Sequence, residues 1–254
     1  MPEYYRPFSL TSTSAMVLSQ DEMKTNATFI YGYMKNRYGW TVEAVAGMLG
    51  NVEAESTMNP SRPQNNAINN KWWDSAPGRA GGAVTPTTVH YGFGLFQITP
   101  WGNWLKTSTR YNPYTLGNWS LDNGYTVDRI TSGTIGTMEC QLDWLMSGAP
   151  EHSYTNTADP SHDQKKWFQH RASPTKNCGT PALYGKQTDT PENMAITFYW
   201  NFERSGAGNP GNRPKLARKW HDFLGGITPP VPLPETKILK GGKNVWRILH
   251  LIQQ

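Results

Sequence analysis

The sequence predicts a mainly α fold: a helical lobe carrying long polar loops, with at most a small β element lining a cleft. Three observations predict it. Several stretches place apolar residues at helical spacing behind recognisable capping residues. Between them, residues 61–90, 107–131 and 148–189 carry the Asn, Gly, Pro and Ser density of loops. The glycines of "YGFGLFQITPW" (91–101) ask for a tight backbone rather than another long helix.

Residues 1–18 read as an irregular lead-in. Ser19 is the expected N-cap of a first helix, with Glu22 completing a capping box. Met23, Ala27, Ile30, Tyr31 and Met34 follow at helical spacing, and Gly39 stops the run. Thr41 caps a second helix, "VEAVAGMLGNVEAES", with Val45, Met48 and Val52 on one stripe and Pro60 just past its end. Thr99-Pro100 reads as N-cap and first helical residue of a third. Ile135, Met138, Leu142 and Leu145 mark another helix. Thr190-Pro191-Glu192 starts one that runs through "NMAITFYWNFER". "RPKLARKWHDFL" is a last amphipathic helix, ended by Gly225-Gly226. "TPPVPLP" (228–234) is a stiff proline-rich linker to a basic tail. Val245, Ile248, Leu249 and Ile252 share one helical face there, suited to a partner. The domain reading is therefore 1–18 lead-in, 19–226 catalytic or binding domain, and 227–254 linker and tail.

Composition narrows the function classes. Hydrophobic residues are 37% of the 254, while Trp and Tyr number 11 and 12. Such aromatic richness suits a groove in which sugar faces stack on rings. A net charge of +5 suits an anionic polymer, yet no Lys/Arg run is dense enough for a nucleic-acid arm. No apolar run approaches membrane-spanning length, and the first twenty residues lack the apolar core of a signal peptide. Cys140 and Cys178 allow one disulfide without demanding it. Cys140 sits in an apolar helical pattern, which favours a core residue over the nucleophile of a Cys-dependent peptidase. His152, Asp159, His162, Asp163 and His170 gather in one stretch but match no zinc or metallopeptidase spacing. No cofactor or metal is expected.

"NVEAESTMNP" (51–60) carries two acids. Glu55 falls three residues after Val52 and shares the apolar stripe. Glu53 lies about 200° around the axis from it, so the two cannot face one another. Partial burial and the negative end of the helix dipole both disfavour a carboxylate at Glu55, as a general acid working near neutral pH requires.

"GMLGNVEAESTMNP", "YGFGLFQITPW" and "FYWNFERSG", in that order, with "PKLARKWHDFL" behind them, resemble the lysozyme domain of phage tail-tip (tail-knob) peptidoglycan hydrolases. The chain is more distantly similar to goose-type lysozymes and soluble lytic transglycosylases. The likeness covers roughly residues 20–225 and implies an α+β, lysozyme-like fold. It implies that Glu55 is the catalytic acid and that Ser56 orients it or the substrate. It implies that Gly94, Leu95 and Gln97 form the glycine-rich cleft wall, and that Tyr199 and Glu203 line or brace the site. Glu203-Arg204 reads equally as a structural ion pair. A goose-type second carboxylate would fall at Thr99, which cannot act as a base. Asp74, the one acid in the loop between the motifs, is the leading candidate for water activation, with Trp72 and Trp73 placed to stack on sugars.

The resemblance implies a virion-associated hydrolase that cuts the MurNAc–GlcNAc β-1,4 bond and opens the host wall for genome ejection. Its partners would be peptidoglycan strands and tail-knob or tail-tip proteins. Three alternatives stay open: a lytic transglycosylase, which needs one acid only; a glucosaminidase; and a non-enzymatic tail or glycan-binding component.

Overall fold

A computed structural model describes residues 4–7, 12, 14–63, 92–97, 114–125, 134–148, 178–203 and 209–228. Among them the chain is mainly helical, with one isolated antiparallel bridge between Pro63 and Phe93. The helices are α1 (Gln20–Tyr38), α2 (Val42–Ser56), α3 (Leu116–Asp122), α4 (Met138–Met146), α5 (Pro181–Tyr184), α6 (Pro191–Phe198) and α7 (Arg213–Gly225). Short 3-10 turns occupy Ser14–Met16 and Thr134–Gly136, and a π-helical turn, Tyr199–Glu203, extends α6.

The caps form as the residue types dictate. Ser19 and Glu22 make the reciprocal capping box of α1, and Gly39 ends it at φ 66°, a conformation that glycine adopts without strain. The hydroxyl of Thr41 accepts from the Ala44 N–H, and that of Thr190 from the Asn193 N–H. The first helix stripe is core: Met23, Ala27, Ile30, Tyr31 and Met34 are all buried.

α2 is the axis of the fold. Its residues from Ala44 to Val52 are buried without a break, because α7, α6 and α1 pack around it. The Val45–Met48–Val52 stripe is thus one side of a helix enclosed on several sides. Two glycines make the close packing possible. A Cβ at Gly47 would stand 2.6 Å from the Met194 Cβ on α6. One at Gly50 would stand 2.8 Å from the Ala217 nitrogen on α7. Asn51, fully buried, joins the layers by donating its amide to the Gly47 and Ala195 carbonyls. On the far side, Asp143 of α4 accepts from the phenols of Tyr33 and Tyr38 at 2.6 Å each and of Tyr125 at 2.9 Å. This fastens the end of α1 to α4.

Two polar stretches contain helix that the sequence reading assigned to loops. α3 lies within 107–131, where Gly117, Asn118 and Asn123-Gly124 read as turn. Tertiary packing overrides propensity there: Leu116, Asn118 and Ser120 are buried, and the Trp144 indole of α4 donates to the Tyr114 carbonyl at 3.0 Å. α5 lies within 148–189 and begins on Thr180-Pro181, the cap chemistry that also opens α6. The expected helix through Arg204 changes instead to a π turn at Tyr199. Neither cysteine is in a disulfide and both are buried, and burial pushes the Cys140 thiol up to about 12, which suits a core residue and not a nucleophile. Thr99-Pro100, the histidine-bearing stretch, Arg204 and residues 229–254 lie outside the described residues.

The fit of α2 against α7 is testable. Gly50→Ala should lower stability by about 1–3 kcal/mol in urea unfolding, since backbone on α7 has to move to admit one methyl. A variant as stable as the parent would mean that the two helices can separate without cost.

Candidate active site

The site is assembled where α2 ends. α2 closes on Thr57 in the left-handed region (φ 52°), and Met58 follows at φ 61°. Two consecutive non-glycine residues there are strained. The surroundings hold them. The Thr57 N–H donates to Glu53 O, and its hydroxyl oxygen accepts from Leu18 N and Arg62 Nη1. Buried Asn26 donates to Met58 O at 2.9 Å, and buried Asn59 donates to Met16 O at 2.9 Å. The turn directs the chain back across the helix end, and Arg62 O then receives the Gly94 N–H and the Gln97 side-chain amide, each at 2.9 Å. The glycine-rich segment is thereby laid against the loop that follows Glu55.

Gln141 of α4 locks this arrangement. Its Oε1 accepts from Leu95 N at 2.7 Å, while its amide donates to Pro60 O at 2.7 Å and Ile135 O at 2.9 Å. Gly94, at φ 78°, passes so close to Gln141 that a Cβ could not fit. Every polar atom of that buried amide side chain is used, so it holds both sides of the turn rigidly.

Glu53 and Glu55 diverge, as the helical spacing requires, but neither is left to solvent. Glu53 faces α7, where the Trp220 indole donates to it at 2.6 Å and the Lys219 ammonium at 2.8 Å. It is a structural anchor. Glu55, with 24% of its side chain exposed, accepts from Arg213 Nη2 at the first residue of α7. The Arg213 guanidinium lies over the Tyr199 ring, 5.0 Å from its centroid.

The π turn brings a second carboxyl to the same place. Glu203 is partly exposed as a residue, but its Oε1 is enclosed and has no hydrogen-bond partner. Burial, first, and the neighbouring Glu55 charge, second, push this carboxyl well above the ordinary carboxylate range; Arg213 opposes them less strongly. Arg213 Nε is also enclosed without a partner. One guanidinium therefore stands among two carboxyls, bonded to one of them.

The expected site residues divide accordingly. Glu55, Tyr199 and Glu203 come together, and Gly94, Leu95 and Gln97 form one braced segment beside the loop after Glu55. Several do not offer themselves to a substrate. Ser56 is fully buried and donates to Val52 O, so its hydroxyl does not orient Glu55. Leu95 and Tyr199 are fully buried; Tyr199 supports Arg213 from beneath. Gln97 spends its amide on Arg62 O and Gly94 O. Trp72, Trp73 and Asp74 lie outside the described residues. Arg213 and Gln141 are the residues that sequence reasoning missed. Arg213 did leave a signal: a cation in the first turn of a helix opposes the helix dipole, and an acid from elsewhere relieves that. Gln141 leaves a weaker one, a lone amide among the apolar residues of its helix.

The family described as phage tail lysozyme matches residues 25–224. The chain is also similar to morphogenesis protein 1 of Bacillus phage B103, with 28% identity over 209 residues, covering 82% of this chain and 42% of that protein. The chain thus spans less than half the length of that relative.

The raised carboxyl of Glu203 has a stability consequence of definite sign. Below the ordinary carboxylate range, folded and unfolded chains both hold the proton. As pH rises through that range the unfolded chain ionises while Glu203 in the folded chain does not, so stability falls. Glu203→Gln keeps the shape and removes the titration. It should melt higher than the parent above about pH 6, with the gap closing towards about pH 4. A gap independent of pH would show that Glu203 is ionised in the folded protein.

Proposed function

The chain belongs to the phage tail lysozyme family, and from that premise we propose that it hydrolyses peptidoglycan. It cleaves the β-1,4 bond between MurNAc and GlcNAc, with Glu55 as general acid, and opens the host cell wall locally during phage entry. The observation that carries this reading is the setting of Glu55: an accessible carboxyl on the last turn of a buried helix, ion-paired to Arg213 and beside a second carboxyl, Glu203, whose Oε1 is enclosed. The name of the Bacillus phage relative, a morphogenesis protein, supports a place in the virion, where tail-tip or tail-knob proteins would be its neighbours.

In this mechanism the sugar chain lies across the end of α2, beside the segment 94–97. Protonation of the bridging oxygen by Glu55 lets the C1–O bond break, and charge develops on the sugar ring. Gln97, half-buried and fixed by Arg62 O, keeps the glycine-rich wall at a constant distance from Glu55. In the hydrolytic form Asp74 directs water to C1, and Trp72 and Trp73 stack on neighbouring sugars. A second reading, lytic transglycosylation, draws on one specific observation. Glu203, the other described carboxyl beside Glu55, has its Oε1 enclosed, so that oxygen does not face water. With Glu55 alone, the same carboxylate would take the proton of the muramic C6 hydroxyl, and that oxygen would close a 1,6-anhydro ring.

Glu55→Gln should clear purified peptidoglycan at least about 100-fold more slowly than the parent, the scale of a positioned general acid, with an unchanged melting temperature as control. Equal clearing would remove Glu55 from the chemistry. Mass spectrometry of the fragments separates the two forms: reducing MurNAc ends for hydrolysis, 1,6-anhydro ends for transglycosylation.

A further inference from the structure

We propose that Glu203 is a positioning residue that exchanges one proton with Glu55 while Arg213 changes partner between them. The inference rests on the reading of Glu55 as the acid and adds how that acid acquires its proton. Three facts converge on it. Arg213 Nη2 is bonded to Glu55, an arrangement that suits a carboxylate and not an acid about to donate. Arg213 Nε is enclosed with no acceptor. Glu203 Oε1 is enclosed with no donor. A buried donor and a buried acceptor, each unsatisfied and both beside one ion pair, mark a second arrangement in which they satisfy each other.

Among the described residues, the charged groups that face Glu203 from the elements packed around it are Glu55 of α2 and Arg213 of α7. The resting state holds Glu203 as the neutral acid, Glu55 as the carboxylate and Arg213 as the cation. In the poised state the Glu203 proton has passed to Glu55, directly or over one water. Glu203 is then the carboxylate, and the guanidinium has turned to it from Glu55. One proton moves, no bond to carbon changes, and the net charge of the three groups is zero before and after. The guanidinium needs only to pivot over the Tyr199 ring, against which it already lies. Glu55 is then free of its ion pair and holds the proton that the glycosidic oxygen requires. The strain at Thr57 and Met58 and the bonds of Asn26 and Asn59 keep Glu55 in place while its partner moves.

The test is the pH profile of peptidoglycan clearing by the full chain from acid to alkaline pH, for the parent, Glu203→Gln, Arg213→Gln and Glu55→Gln. Without Glu203 to receive it, Arg213 stays on Glu55. Glu203→Gln should then match the parent within about twofold at acid pH, with its alkaline fall-off moved down by about one pH unit or more. Arg213→Gln should move the fall-off upward. Glu55→Gln should be inactive throughout. If Glu55→Gln is inactive but the other two keep the parent's profile, the exchange is refuted while Glu55 stands as the acid. If Glu203→Gln loses activity equally at every pH, its role is structural and the exchange is also refuted. If Glu55→Gln remains active, the underlying functional reading falls instead.

Discussion

Much of this structure depends on Arg213, the one cation among the described residues set between two carboxyls at the end of a buried helix. Two ionised carboxylates and one guanidinium would leave an uncompensated negative charge in a poorly hydrated place. Burial and the neighbouring Glu55 charge push the Glu203 carboxyl, enclosed and unbonded at Oε1, well above the ordinary carboxylate range, which favours a proton there. The other features of the site act to keep these three groups at close range. α7 must approach α2 closely for Arg213 to reach Glu55, and Gly50 leaves the room. The π turn Tyr199–Glu203 carries both the second carboxyl and the aromatic ring that lies against the guanidinium, four residues apart and so on one face of the turn.

The same helix end carries a second, purely structural acid. Glu53 binds Lys219 and Trp220 of α7, so α7 is attached to α2 at two acids, the first residue of α7 to Glu55 and its middle to Glu53. This division of labour fits the exposures: 11% for the Glu53 side chain and 24% for Glu55. The structural pair can stay fixed while the Glu55 pair opens. On the other flank, Gln141 and the bridge between Pro63 and Phe93 hold the glycine-rich segment, so the wall beside Glu55 is set by the core and not by the loops.

The helices were legible where local chemistry decides. Ser19 with Glu22, Thr41, Thr190-Pro191 and Gly39 mark their ends because caps depend on the residue and its immediate neighbours. α3 was not legible, because its seven residues are helical through packing on α4 and not through propensity. The position of Glu55 could be read from spacing, since a helix fixes angles. Its partner could not, because Arg213 lies 158 residues further along the chain and the contact depends on how two helices cross. The burial of Ser56 could not be read for a related reason: sequence places a residue on a face, but the neighbouring helix decides whether that face is open.

The central claim is that Glu55 and Glu203 carry one proton between them at rest and that it sits on Glu203. The most direct measurement is a carbon-13 NMR titration of the protein labelled at the glutamate side-chain carboxyl, with Glu55→Gln and Glu203→Gln used for assignment. The account predicts that at neutral pH the Glu203 resonance has the chemical shift of a protonated carboxyl while that of Glu55 has the shift of a carboxylate. Two carboxylate resonances at neutral pH, titrating independently in the ordinary range, would contradict it.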